Sequence, residues 1–233
     1  MATSHHAADS VPIPDVVQLI VVAFVGLAGV AFAVVGSLLS FFVDQALVRE
    51  TVSSGQITLL TVERTISEAE MAALGTDVAN WLGIGLLVTG VVLTLFAGVY
   101  GLTQYRVWKQ TDPATDRQQA RQAAIVGAVV AAVLSFVPLS PLLGGGVAGY
   151  LSSSGGTDAT RVGAVAGLLV AIPAVLLIGF TTVGLYAGLA VFAESSLRLL
   201  ILGVMTASAL FVLAVSVGLG GLGGYLVPVA ADQ

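Results

Sequence analysis

The chain has 233 residues, of which 57% are hydrophobic and 9% charged, whereas a soluble domain carries about 25% charged residues to wet its surface. A fold of this size with so few charges is excluded from water, and the net charge of -5 argues against nucleic acid, which requires clustered positive charge. Cysteine is absent, which removes disulfides, thiol catalysis and thiolate metal sites.

Charged residues punctuate the sequence, and the uncharged intervals between them give the expected elements. Residues 1–15 form a polar amino tail without Lys or Arg, so the basic start of a secretory signal is missing and the first apolar segment is expected to remain as an anchor. Residues 16–43 and 78–105 are each 28 residues without charge, longer than the roughly 30 Å hydrocarbon core at about 1.5 Å per residue. Each reads as one tilted transmembrane helix.

Between them, residues 44–77 make an insert with six acidic residues against two arginines. Gln56 to Glu63 reads as a short strand. Ser67 and Glu70 have capping-box spacing, which predicts a short helix from Glu68 to Leu74 lying against the ends of the bundle. Trp81 at one end of the second span, with Tyr105, Arg106, Trp108 and Lys109 at the other, fits interfacial anchoring.

Residues 106–121 form a basic loop in which Asp112-Pro113 signals a helix start. The remaining spans are expected over 122–151, 162–193 and 199–227. Pro138 and Pro141 interrupt the first of these and Pro173 the second, each removing a backbone hydrogen bond and bending the helix. Glu194 and Arg198 stand either in a turn or as a helical i,i+4 pair. The fold class is therefore all-α, a polytopic transmembrane helix bundle of about five spans with a small extracytoplasmic insert; four spans with re-entrant or surface helices is the alternative. Counting Lys and Arg by side in the five-span arrangement places the amino terminus in the cytoplasm and the carboxyl terminus outside.

Glycine is the strongest local signal, with 28 in the chain. Gly145 and Gly149, Gly163 and Gly167, Gly184 and Gly188, and Gly220 and Gly224 have the small-xxx-small spacing that lets helix backbones approach closely in lipid. In a chain this rich in glycine, chance also produces such pairs. The segment from Gly145 to Leu151 aligns position by position with Gly220 to Leu226, and each places a tyrosine, Tyr150 or Tyr225, where an interfacial belt would lie. This predicts parallel third and fifth spans.

The run from Pro141 to Leu151, followed by Arg161 to Gly167, Pro173 and the terminal Gly-Gly-Tyr-Leu, resembles small multi-pass proteins of unknown function numerous in haloarchaea. The resemblance covers the carboxyl-terminal half. It implies a multi-helix membrane module without an established activity and supplies no catalytic residue.

Chemistry finds little material. The two histidines, His5 and His6, lie in the polar tail, and serines and threonines within the spans have no general base beside them. No catalytic, metal or cofactor site is expected. The lipid bilayer is the expected partner, with a second copy or another membrane subunit as the protein partner. The expected function is a non-enzymatic scaffold or accessory subunit of the cell membrane associating through glycine-rich helix faces; the alternative is a small passive pore or carrier for neutral or weakly polar solutes.

Overall fold

The computed structural model describes residues 15–53, 67–108, 116–135, 137, 139–152, 157–191 and 193–231. Seven α-helices occur among them: α1 (Asp15–Phe42), α2 (Gln45–Ser53), α3 (Glu68–Trp108), α4 (Asp116–Val133), α5 (Ser140–Leu151), α6 (Thr157–Gly188) and α7 (Ser195–Ala231), with a 3-10 turn over Leu189–Val191 after α6. No strand is found among the described residues, and the strand expected over 56–63 lies outside them.

Buried and exposed residues are distributed as they are when hydrocarbon is the solvent. The buried apolar residues are mostly alanine and valine, while Leu27, Phe41 and Phe42 are more than 70% exposed. Water would make that arrangement untenable, because burying a large apolar side chain is worth about 1.5–3 kcal/mol; lipid tails make it neutral. Four helices are long and apolar enough to cross a bilayer, over Val16–Phe42, Ala69–Tyr105, Asp158–Gly188 and Ser195–Val227. The chain is an integral membrane protein with an all-α helix bundle.

Two expected elements take a different form. The short helix from Glu68 to Leu74 is the beginning of α3, which runs unbroken for 41 residues. Its capping box is formed: the Ser67 amide donates to Glu70 Oε2 at 2.9 Å and the Glu70 amide to Ser67 Oγ at 3.2 Å. No proline interrupts it, and Gly75 at its second turn is tolerated because Val48 of α2 fills the space where a side chain would stand.

The interval 122–151, expected as a single span, is instead divided between α4 and α5. Between them the Val137 amide donates to the Leu134 carbonyl and the Ser140 amide to the Val137 carbonyl, outside either helix. At about 1.5 Å per residue, the 12 residues of α5 reach only about 18 Å, too short to cross. Absence of charge shows that a segment sits in lipid, not how often it turns. Pro141 starts α5 in place of bending a continuous helix, Pro138 lies outside the described residues, and Pro173 lies within α6.

The chain divides into two compact units, one containing 1–25, 97–173 and 211–233, the other 26–96 and 174–210. In the first, Gly127 faces Gly144 and Ala148 while Gly144 faces Ala131, so α4 and α5 are antiparallel. Gly145 meets Gly220 and Gly149 meets Gly224, so α5 and α7 are parallel; Gly163 and Gly167 meet α7 in the reverse order. Consequently α4 and α6 start, and α5 and α7 end, at one face of this unit, and α4–α5 is a hairpin that enters and leaves there. Its core packs Val21 of α1 with Ala123, Ala124 and Val126 of α4, Ala148 of α5, and Val162 and Ala166 of α6.

In the second unit, α1 and α3 are antiparallel, with Gly36 against Gly83 and Leu87, and Gly29 against Gly90 and Thr94. Helix α6 lies along another side of α3: Gly184 meets Val78 and Trp81, Gly188 meets Leu74, and the Trp81 and Phe180 rings stack at 6.4 Å. Trp81, expected as an interfacial anchor, is therefore part of the α3–α6 contact. Arg198 at the start of α7 lies 4.1 Å over the Tyr186 ring, and its amide donates to the Glu194 carbonyl. Glu194 thus begins α7 after the turn, while the arginine side chain folds back onto α6 as a cation–π contact.

Candidate functional site: a glycine junction of three helices

Helices α5, α6 and α7 converge where side chains have been removed. A Cβ added at Gly145 would strike the Gly220 carbonyl, and one at Gly149 would lie 2.6 Å from Gly224 Cα. One at Gly163 would strike the Gly220 carbonyl and lie 3.0 Å from Gly224 Cα, and one at Gly167 would strike the Ser216 carbonyl. From the α7 side, Gly220 faces Gly163 and Gly167, Gly223 faces the Leu142 carbonyl, and Gly224 faces Ala159 and Gly163. None of these glycines requires a positive φ; glycine is used here for space alone.

Backbones this close bring Cα–H groups onto carbonyl oxygens and maximise dispersion contact, the attractions available where no hydrophobic force acts between helices. The segments from Gly145 to Leu151 and from Gly220 to Leu226, alike in sequence, are packed side by side. Tyr150 and Tyr225 at their ends are exposed, as is Tyr105 on α3. The side chains of Arg106 and Trp108, and residue Lys109, lie outside the described residues.

Gly184 and Gly188 serve the separate α3–α6 contact. The contact between α1 and α3 was missed from sequence, because Gly29 and Gly36, and Gly83 and Gly90, are seven residues apart and not four. Seven residues is two turns, so the same face was marked at double spacing, and reading both periods would have found it.

Polar groups in the spans are mostly consumed locally. Ser37, Thr94, Thr182, Thr206 and Ser208 each donate to a carbonyl four residues back on their own helix, at 2.6–2.8 Å. Gln122 of α4, 8% exposed, donates through Nε2 to Gln104 Oε1 of α3 at 3.1 Å, tying the hairpin entrance to the end of the preceding span. Gln104→Leu is expected to cost about 1–3 kcal/mol by stranding the buried Gln122 amide. Gln104→Leu with Gln122→Leu should recover most of that loss. Thermal unfolding in detergent of the wild type, Gln104→Leu, Gln122→Leu and the double variant reads the cycle; additive losses would show that the pair is not coupled. Among the described residues no cluster of three or more His, Cys, Asp or Glu side chains has metal-binding geometry.

Residues 121–227 match the family described as "Family of unknown function (DUF5518)". The match covers just under half of the chain and takes in α4 from Arg121, α5, α6 and α7 as far as Val227. All the glycines of the three-helix junction fall within it, and α1–α3 fall outside. No curated protein and no solved structure matches the chain.

Proposed function

We propose that this protein is a non-enzymatic membrane component, a scaffold or accessory subunit, whose glycine junction fixes a rigid bundle and whose α7 presents a face to a second copy. The glycines at small-xxx-small spacing, Gly145, Gly149, Gly163, Gly167, Gly184, Gly188, Gly220 and Gly224, expected to pack helices within the chain or between copies, are engaged within the chain. Association then falls to small residues that point outward. Gly203 and Gly218 have nothing within 4 Å, and with the exposed Ala207 and Ala214 they lie within about 60° on one side of the helix. The α7 span is the least buried of the four, at 6% against 17–28%, and this supports the reading most directly.

Four crossings with a hairpin bring both termini to one side. That side carries Arg106, Lys109, Arg117, Arg121 and Arg161, and the other carries Arg49, Arg64 and Arg198, so the positive-inside rule favours cytoplasmic termini. On this reading both termini are cytoplasmic, whereas the five-span arrangement puts the carboxyl terminus outside.

The hairpin favours a second reading, a passive pore or carrier, because helices broken at membrane depth line many transport paths. One preparation separates the two. In proteoliposomes treated with copper phenanthroline as oxidant, Ala207→Cys protein is expected to form disulfide-linked dimers that Gly203→Leu with Gly218→Leu abolishes, without glycerol flux above empty vesicles. Absence of the dimer would refute association through α7, and glycerol flux would establish the second reading.

A further inference from the structure

A groove of about 490 Å³ runs along α1 and α3 within the second unit, walled by Val30, Val34, Leu38 and Phe42 of α1 and Val91 and Leu95 of α3. Its two hydroxyls are closed off: Ser37 Oγ donates to the Ala33 carbonyl and Thr94 Oγ1 to the Gly90 carbonyl, both at 2.8 Å. What remains is an apolar trough with no hydrogen bond to offer.

From Val30 to Phe42 is twelve residues, about 18 Å along the helix, close to the roughly 15 Å of one leaflet of the hydrocarbon core. Spread over that length, the volume has a cross-section of about 27 Å², a third of the roughly 80 Å² taken by a helix about 10 Å wide. A single hydrocarbon chain fits that section lengthwise, whereas a helix would lie over the open side of the groove without filling it. The groove ends where α1 ends. There the chain turns polar: Asp44 Oδ1 accepts from the Leu47 amide at 2.8 Å to start α2, and exposed Arg49, a cation, follows on that helix, close in sequence to the end of α1.

We propose that this groove holds one tail of a phosphate-bearing membrane lipid from the leaflet at the Phe42 end, with Arg49 facing its phosphate. Unlike the bulk lipid around it, the bound molecule is held between two helices fixed by the Gly29–Gly90 and Gly36–Gly83 approaches, so its exchange is slow.

Native mass spectrometry of the full-length protein with dioleoylphosphatidylglycerol tests this. One lipid per chain should survive activation that strips the detergent. Val34→Trp and, separately, Leu38→Trp fill the groove and should each lower occupancy about tenfold, because the indole takes the place of the tail's contacts with α1 and α3. Leu202→Trp, exposed on α7 away from the face of Gly203 and Gly218, should leave occupancy unchanged. Arg49→Gln should weaken the phosphatidylglycerol adduct several-fold but not that of dioleoylglycerol, which has the same tails and no phosphate. Equal occupancy in the groove variants and the α7 variant, measured on proteins with wild-type melting temperatures, would overturn the proposal, as would a lipid-free dimer that either groove variant dissociates. Equal loss of both lipids on Arg49→Gln would overturn the phosphate contact.

Discussion

Gly220→Leu is expected to destroy the fold, whereas Gly218→Leu, two residues away on the same helix, is expected to leave it intact. At Gly220 a Cβ would stand 2.5 Å from the Gly163 carbonyl and 3.1 Å from Gly167 Cα. Those are backbone atoms of a packed helix, and no side-chain rotamer can relieve the overlap. Helix α7 would have to move away from α6, and the closest approach with α5 at Gly145 would open with it. Inserting methylenes into a well-packed core typically costs 1–3 kcal/mol; four heavy atoms against two backbones should exceed about 3 kcal/mol, a large part of a marginal stability. At Gly218 nothing lies within 4 Å, and the leucine enters lipid at a cost within about 0.5 kcal/mol. Thermal unfolding in detergent reads the contrast, since Gly218 lies on the face proposed to meet a second copy and its variant is expected to change oligomer size without loss of the fold. Similar behaviour of the two variants would mean that α5, α6 and α7 do not meet through their backbones.

The second large effect concerns sidedness. The cysteine-free chain accepts single cysteines without background, and Arg117, Asp158, Ser67 and Ser196 are all exposed. An impermeant maleimide should find Arg117→Cys and Asp158→Cys on one side of the membrane, with Ser67→Cys and Ser196→Cys on the other. The hairpin requires this, because no crossing separates the start of α4 from the start of α6. A single helix over 122–151 would divide Arg117 from Asp158 and unite Arg117 with Ser196. Labelling is nearly all-or-none at each position, and Arg117 and Asp158 on opposite sides would eliminate the hairpin.

Sequence alone determined the solvent and the class of fold. Long intervals without charge in a chain with 9% charged residues admit only hydrocarbon, and hydrocarbon admits a backbone whose hydrogen bonds close within each helix. The capping box at Ser67 and Glu70 was readable for a similar reason, since both partners lie within one turn. The parallel run of the two Gly-Gly-x-x-Gly-Tyr-Leu segments was readable from their likeness and the single crossing between them.

Tertiary structure decided what distance along the chain does not encode. Leucine and glycine are alike uncharged, so hydropathy could not separate one crossing at 122–151 from a hairpin whose second helix starts at Ser140 and Pro141; that depends on whether α5 finds a partner, and it finds α7 through Gly145 and Gly149. Equally, small-residue spacing marks a face fit for close approach without naming the helix that approaches. Gly184 serves α3, Gly163 serves α7 and Gly218 serves neither, because a missing side chain attracts nothing by itself and acquires meaning only from the backbone that three-dimensional packing brings into the space it leaves.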